Sequence, residues 1–281
     1  MVHYLRRGTL AVLIARRNAR SAKPELYHWE PNANSGKPII ALLEKGVAFE
    51  SRYTDMLEFD HHKPAYLSIN PDGTIPTLVH GDSVLTESTE MGEYIDAEFE
   101  GPALRPESTE ERWRMRWWGK FLDGYFGPSL SMIGWSIFVG PAVRSKDPEE
   151  LRRNIERIPL KERRDAWTKA IYNTFGDAEL AESRRRGQQG IAVFEAGLGQ
   201  RPWFAGNSYS LADINAFCMT YALPLMQAEF VNAAKTPHLI NWLRRVYARP
   251  AITEAFKLGR TPMAARAVEV RELIGGGDSN A

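Results

Sequence analysis

Four short stretches of this chain carry residues whose types and spacing could do chemistry. The first is Asn32-Ala-Asn-Ser35, at a strand-to-helix junction. Backbone N–H groups at a helix start lack partners and favour negative charge. Ser35 or Asn34 could donate a further hydrogen bond to a bound thiolate there, which would also gain from the helix dipole. Either residue could instead be only a cap. The second is Gly73-Thr-Ile-Pro-Thr-Leu78, entered through the turn Asn70-Pro-Asp-Gly73. A proline between such a turn and a strand is a candidate for a cis peptide. The cis form would turn the N–H and C=O of Ile75 outward, where an extended peptide could pair with them. A trans proline at a strand edge is the alternative. The third is Thr86-Glu-Ser-Thr-Glu90 at the start of a helix. Glu87 could pair with an ammonium and Ser88 could bind a carboxylate, together gripping an amino-acid head group. A capping box would look the same. The fourth, Ser210-Leu-Ala-Asp213, reads as a structural capping box.

The elements that must position these residues follow from the pattern. Leu26–Glu30 and Phe49–Tyr53 read as strands, with a helix from Ser35 to Gly46 between them and Pro38 in its first turn. Residues 60–68 suggest a short irregular helix. Ile75–Val79 and Val84–Thr86 flank a hairpin turn, and Glu87–Phe99 has helical spacing. The order β-α-β-α-β-β-α describes an α/β unit with a parallel first pair and a closing hairpin. After a linker at Gly101–Pro106 everything reads as helix, including 148–156, 177–197, 211–229 and 237–258. The expected organisation is a disordered basic extension over 1–23; an α/β domain over 24–101; a helical domain over 110–262; and a fraying tail over 263–281.

Composition narrows the function classes. The chain has 281 residues, 36 basic and 35 acidic. The first 23 residues hold six basic residues and no acid, which leaves 30 basic and 35 acidic residues in 24–281. A body with net charge −5 argues against a nucleic-acid binder, and Arg112, Arg114 and Arg116 among tryptophans read as a solvated helix face. The leader's apolar run, Leu10–Ala15, is too short for a membrane span or a secretory core. A disordered extension, an over-long start or a transit peptide are its readings. No later run is read as long enough to cross a bilayer. One cysteine, Cys218, excludes an internal disulfide, fits a reducing compartment and sits in an apolar segment as a buried thiol would. Asp60, His61 and His62 lack third and fourth ligands at a metal-site spacing, so no metal is expected. No phosphate loop is present.

Taken in order, the strand-turn-Ser-helix, Asn70-Pro-Asp-Gly-Thr-Ile-Pro76, Thr86-Glu-Ser88 and Phe204-Ala-Gly…Ser210-Leu-Ala-Asp213 resemble the glutathione S-transferases over about residues 24–260. The resemblance implies a thioredoxin-like α/β N-terminal domain and an all-α C-terminal domain. It implies glutathione as co-substrate, with Ile75 beside cis-Pro76 holding the cysteinyl backbone and Glu87 and Ser88 holding the γ-glutamyl end. Ser35 or Asn34 would face the sulfur, and His62 and Lys63 lie where the glycyl carboxylate binds. Pro31-Asn-Ala-Asn-Ser35, Phe59-Asp-His-His62, Ser131-Met-Ile-Gly-Trp135 and the long stretch 136–198 look like the bacterial glutathione-dependent β-aryl etherases, which cleave β-O-4 aryl ethers of lignin-derived dimers. Departures are the basic leader and Gly36 directly after the serine. A cytoplasmic homodimer is implied, without membrane or nucleic-acid partners. Trp117, Phe121, Tyr125, Trp135 and Phe138 could line an aromatic pocket, although an i, i+4, i+8 stripe also suits helix packing. A transferase acting on a halide or epoxide, and a non-catalytic glutathione-fold interaction protein, remain the alternatives.

Overall fold

A computed structural model describes residues 23–275; most of the basic extension, and the last six residues, lie outside the described residues. Strands β1 (Glu25–His28), β2 (Glu50–Tyr53), β3 (Thr77–His80) and β4 (Ser83–Leu85) form one sheet in the order β2-β1-β3-β4. β1 runs parallel to β2, with Leu26 opposite Ser51, while β3 is antiparallel to both β1 and β4. Helix α1 (Ala33–Glu44) links β1 to β2, a tight turn at Asp60–His62 leads into α2 (Pro64–Leu67), and α3 (Ser88–Glu98) follows β4. Leu26, Ile39, Ile40, Leu42, Leu78, Met91 and Ile95 bury together, which fixes α1 and α3 on one face of the sheet. The helix begins two residues earlier than its spacing predicts, because Gly36 N–H already bonds the Asn32 carbonyl at 2.8 Å. Pro38 therefore lies inside α1, beyond the first turn.

The helical half opens with α4 (Thr109–Arg144), one continuous helix of 36 residues. Two wider turns, at Leu122–Phe126 and Trp135–Val139, interrupt its ordinary pitch. Each adds a residue to a turn and so rotates the side chains that follow. By length and composition α4 could cross a membrane, with a window of mean hydropathy 1.3, 33% buried within the protein. The sequence reading missed this because glycines, serines and prolines break up the uncharged run 124–143. Then come α5 (Pro148–Glu156), α6 (Lys161–Tyr172), α7 (Asp177–Gln200), α8 (Leu211–Thr220), α9 (Leu223–Met226), α10 (Pro237–Tyr247), α11 (Pro250–Phe256) and α12 (Pro262–Gly275). The expected tail is thus a helix to Gly275, since Ala267, Val270 and Ile274 share a buried stripe.

The long stretch after Ser136 has a packing role. Val139, Val143, Leu151, Ile158, Trp167 and Ile171 form a second core that closes on Phe59, just after β2. Helices α4 to α6 therefore wall one side of the α/β unit. At the other end Asp213 caps α8, accepting hydrogen bonds from the Phe204 and Ser210 backbones and from Trp242 Nε1 at 2.9 Å.

Candidate active site

The Ile75–Pro76 peptide is cis. Its turn is held from below: Asn70 Nδ2 donates to the Thr74 carbonyl at 2.9 Å and to Thr77 Oγ1 at 2.9 Å, and the Tyr66 hydroxyl also reaches Thr74. These bonds consume neighbouring groups and leave the N–H and C=O of Ile75 without partners among the described residues. A half-exposed peptide edge with free donor and acceptor is what an added extended strand needs.

Glu87 and Ser88 stand where the hairpin meets α3. Glu87 adopts φ 66° and ψ 96°, an unfavourable conformation for a residue with a side chain. It is exposed, Ser88 is buried at the helix N-terminus, and neither side chain has a partner among the described residues. An acid beside unpaired helix N–H groups suits an ammonium and a carboxylate on one carbon.

At the start of α1, Ser35 is buried and its Oγ accepts the Trp29 N–H at 3.1 Å. Asn34 is exposed and has no partner among the described residues, whereas the buried Asn32 amide donates to the Tyr221 hydroxyl at 3.0 Å. Two charged anchors here escaped the sequence reading. Glu30 is fully buried, and its Oε1 accepts the Tyr53 hydroxyl at 2.7 Å and the backbone N–H groups of Arg260 and Thr261 at 2.9 and 3.1 Å. It ties the entry of α12 to the loop before Ser35. Lys37, 1% exposed, donates to Asp123 at 2.6 Å and to Thr89 at 3.0 Å, joining α1, α3 and α4. A polar cleft of about 830 Å³ opens between Glu87, Thr89, Glu93, Lys120 and Asp123. A lysine at helix spacing reads as outward-facing, so only a partner on a distant helix could have revealed it.

An apolar cavity of about 200 Å³ opens at Trp29, just after β1, and is lined also by Leu57, Phe138, Val139, Ala142 and Met263 among others. A second space of about 630 Å³ shares Phe138 and Pro262 with it and continues past Met226 and Arg266. Of the five expected aromatic residues, Phe138 lines both. Trp135 does not; it packs on Trp167 at 4.8 Å in the second core. Trp117, Phe121 and Tyr125 stack in a row along α4, beside α7: Phe121 meets Phe194 at 5.7 Å and the Tyr125 hydroxyl donates to Gln189. The spacing of Phe121 and Tyr125 expresses packing on α7, while Trp117 stacks on Phe121 and stays 41% exposed; the wider turns carry the pocket to residues further along.

The histidine and lysine expected at the glycyl end stand together after β2, where the tight turn leads into α2. His62 is buried against Phe59 and Trp167, with ring centroids 6.2 and 6.5 Å away. Burial, with the Arg163 charge adding to it, pushes its pKa from 6.5 down to about 4. The neutral ring keeps one N–H donor, and its Nδ1 has no hydrogen-bond partner among the described residues. Lys63 pairs with Asp60 at 2.6 Å and lines a groove with Tyr27, Arg52 and Tyr53. Cys218 is buried, and desolvation raises its pKa to about 12, so it stays a thiol. No group of three or more potential metal ligands forms among the described residues.

A small mixed sheet with a cis-proline edge, joined to a helical domain that supplies an apolar cavity, defines a glutathione transferase architecture. The chain belongs to that family: the sequence model for the glutathione S-transferase N-terminal domain matches residues 26–103, and that for the C-terminal domain matches 126–250. Among its relatives is the protein LigF of Sphingobium sp. strain SYK-6, 36% identical over 239 residues, which span 83% of this chain and 93% of that protein. The crystal structure of LigF, described as a beta-etherase, superposes with a TM-score of 0.81 over 84% of this chain and 99% of its own. Glutathione S-transferase F10 of Arabidopsis thaliana is 26% identical over 226 residues, 79% of this chain and 91% of that protein.

Proposed function

We propose that the protein uses glutathione to cleave β-O-4 aryl ethers of lignin-derived dimers, as a step in aromatic compound catabolism. The observation that carries this reading is the apolar cavity that opens at Trp29, whose N–H holds Ser35. At about 200 Å³ it is smaller than the ~300–1,000 Å³ typical of whole small-molecule sites. Together with the adjoining space past Phe138 it offers room for a two-ring substrate. The likeness to LigF supports the same chemistry.

Glutathione lies along Ile75, with its γ-glutamyl end at Glu87 and Ser88. The N-terminus of α1, with Ser35 or Asn34, lowers the thiol pKa from its usual value of about 8.5. The thiolate attacks the ether-bearing Cβ from the side opposite the oxygen. A C–S bond forms, the Cβ–O bond breaks with its electron pair, and phenolate leaves to take a proton from water. Rate comes from forming the thiolate and aligning it with the leaving oxygen.

The protein is read as a cytoplasmic homodimer without metal, nucleic-acid or membrane partners. Trp113 and Trp117, 63% and 41% exposed on α4, support a further protein contact there. The decisive assay offers a fluorogenic β-aryl ether ketone with and without glutathione. Phenol release should require glutathione. Background release alongside brisk turnover of a halide electrophile would sink the etherase reading.

A further inference from the structure

In a displacement at Cβ, the charge that starts on sulfur ends on the departing oxygen. The inference here rests on the etherase reading above and concerns where that charge arrives. In-line attack sets sulfur and oxygen on opposite sides of Cβ. The sulfur is held at the start of α1, where the inner apolar cavity opens at Trp29. The departing oxygen therefore points to the cavity's other end. Phe138 of α4 and Pro262 of α12 line both this cavity and the outer space beyond it, so they mark where one passes into the other.

A cation stands at this junction. Arg266 lines the outer space, and its guanidinium lies 4.2 Å from the centre of the Phe138 ring. It follows Pro262 by one turn of α12, so the two share a face. Arg266 is half-buried, yet its guanidinium makes no hydrogen bond or ion pair with any described residue. Glu269, three residues on, lines the same space but is exposed and does not pair with it. The contact with Phe138 engages the charge and leaves the fork of N–H donors unspent. Ile137, Leu225 and Met226, 54%, 40% and 43% exposed, line the same space. An unpaired cation among uncovered apolar side chains matches an aromatic ring that carries an anionic oxygen.

We propose that Arg266 is a further catalytic residue, whose guanidinium receives the departing aryl oxygen. The thiolate electron pair forms the C–S bond, the Cβ–O pair passes to the oxygen, and the negative charge moves from the start of α1 to Arg266. Donors already in place where charge develops stabilise the transition state more than the ground state. Arginine stays protonated throughout, so it pairs with the phenolate and does not protonate it; the proton comes from water after release.

Single-turnover phenol release by the full-length protein tests this, with saturating glutathione and enzyme in excess over the ether. The substrates are β-aryl ether ketones that differ only in the departing phenol, from a methoxyphenol to a nitrophenol. The more basic phenol holds negative charge less well and so depends more on the guanidinium. Arg266→Ala should slow the methoxyphenol ether about 100-fold and the nitrophenol ether less than about tenfold, so that rate falls more steeply with phenol pKa than in wild type. Arg266→Lys keeps the charge without the fork and should fall between. Glutathione affinity, read by calorimetry, should stay within about twofold. Equal losses across the series would make Arg266 a packing residue, and unchanged rates would leave it no part in the reaction. Either result overturns the proposal while glutathione use stands. A wild type that binds glutathione yet releases no phenol from any member would sink the etherase reading itself, and this role with it.

Discussion

Ser35 Oγ accepts the backbone N–H of Trp29 at 3.1 Å, so one bond fixes both the first turn of α1 and the residue that opens the apolar cavity. The bond uses the oxygen as acceptor and leaves the hydroxyl proton free, with no acceptor among the described residues. A buried hydroxyl with a spare donor at a helix N-terminus is suited to a thiolate. Ser35→Ala should therefore lower kcat/KM at least about tenfold, or roughly 1.4 kcal/mol, and also cost about 1 kcal/mol of stability for the lost bond. Asn34→Ala, at an exposed position, should retain most activity. If neither variant loses tenfold, the N–H groups of α1 hold the thiolate unaided.

Lys37 is the second link between the domains that thermal unfolding can weigh. Removing one member of a fully buried ion pair costs about 3–5 kcal/mol. Asp123 is 40% exposed, so water can take over part of its charge, and Lys37→Met should cost roughly 2 kcal/mol. Asp123→Asn should cost more than half as much, and the double variant less than the sum. Additive losses would mean that Lys37 acts through packing alone.

The legible parts of the site were those encoded locally. Turn chemistry announced Asn70–Gly73 and the cis Ile75–Pro76 bond, and helical spacing announced α3, which begins at Ser88 without the side-chain cap that the capping-box alternative called for. What needed the whole fold stayed hidden. Helix α6 brings Trp167 onto His62, and nothing near His62 in sequence says that its ring will be buried. Two wide turns shift the phase of α4, so a period of 3.6 drawn from Trp117 points to α7 instead of the cavity. Glu30 and Lys37 read as ordinary charges until distant partners come into view, Arg260 and Thr261 for the first and Thr89 and Asp123 for the second.

Gly36 has a steric reason to lack a side chain. A Cβ there would lie 2.8 Å from both Cys218 Sγ and the Pro31 carbonyl oxygen. The backbone oxygen cannot swing aside, so Gly36→Ala should cost about 1–3 kcal/mol despite the better helix propensity of alanine. Pairing it with Cys218→Ala should recover only part of the loss in a denaturant titration. Full recovery would mean that the thiol, not the Pro31 carbonyl, sets the limit.

Phe138 and Trp135 lie three residues apart on α4 but face different tasks. Phe138→Ala removes the wall shared by both apolar spaces. It should raise KM for a two-ring ether several-fold and leave unfolding within about 1 kcal/mol, since the ring is only partly buried, with the Arg266 guanidinium 4.2 Å from it. Trp135→Ala breaks the contact with Trp167 and should cost about 3 kcal/mol with little change in KM of the folded fraction. Equal KM effects from the two would remove the distinction drawn between them.

Acid should destabilise the protein through His62 before it titrates most carboxylates. The folded-state pKa is about 4 and the unfolded value 6.5. Between those values the unfolded chain binds more protons, so stability rises with pH across that window and is lost as pH falls through it. A difference of about 2.5 units corresponds to at most about 3 kcal/mol. His61, whose ring is tilted against His62 at 3.7 Å and which burial also holds neutral, acts in the same direction. His62→Gln keeps a polar side chain of similar reach but cannot take up a proton. It should lower stability at neutral pH and flatten the fall between pH 6.5 and about 4, leaving the part due to His61. Denaturant midpoints across that range check the slope, and an unchanged slope in the variant would place the acid sensitivity elsewhere.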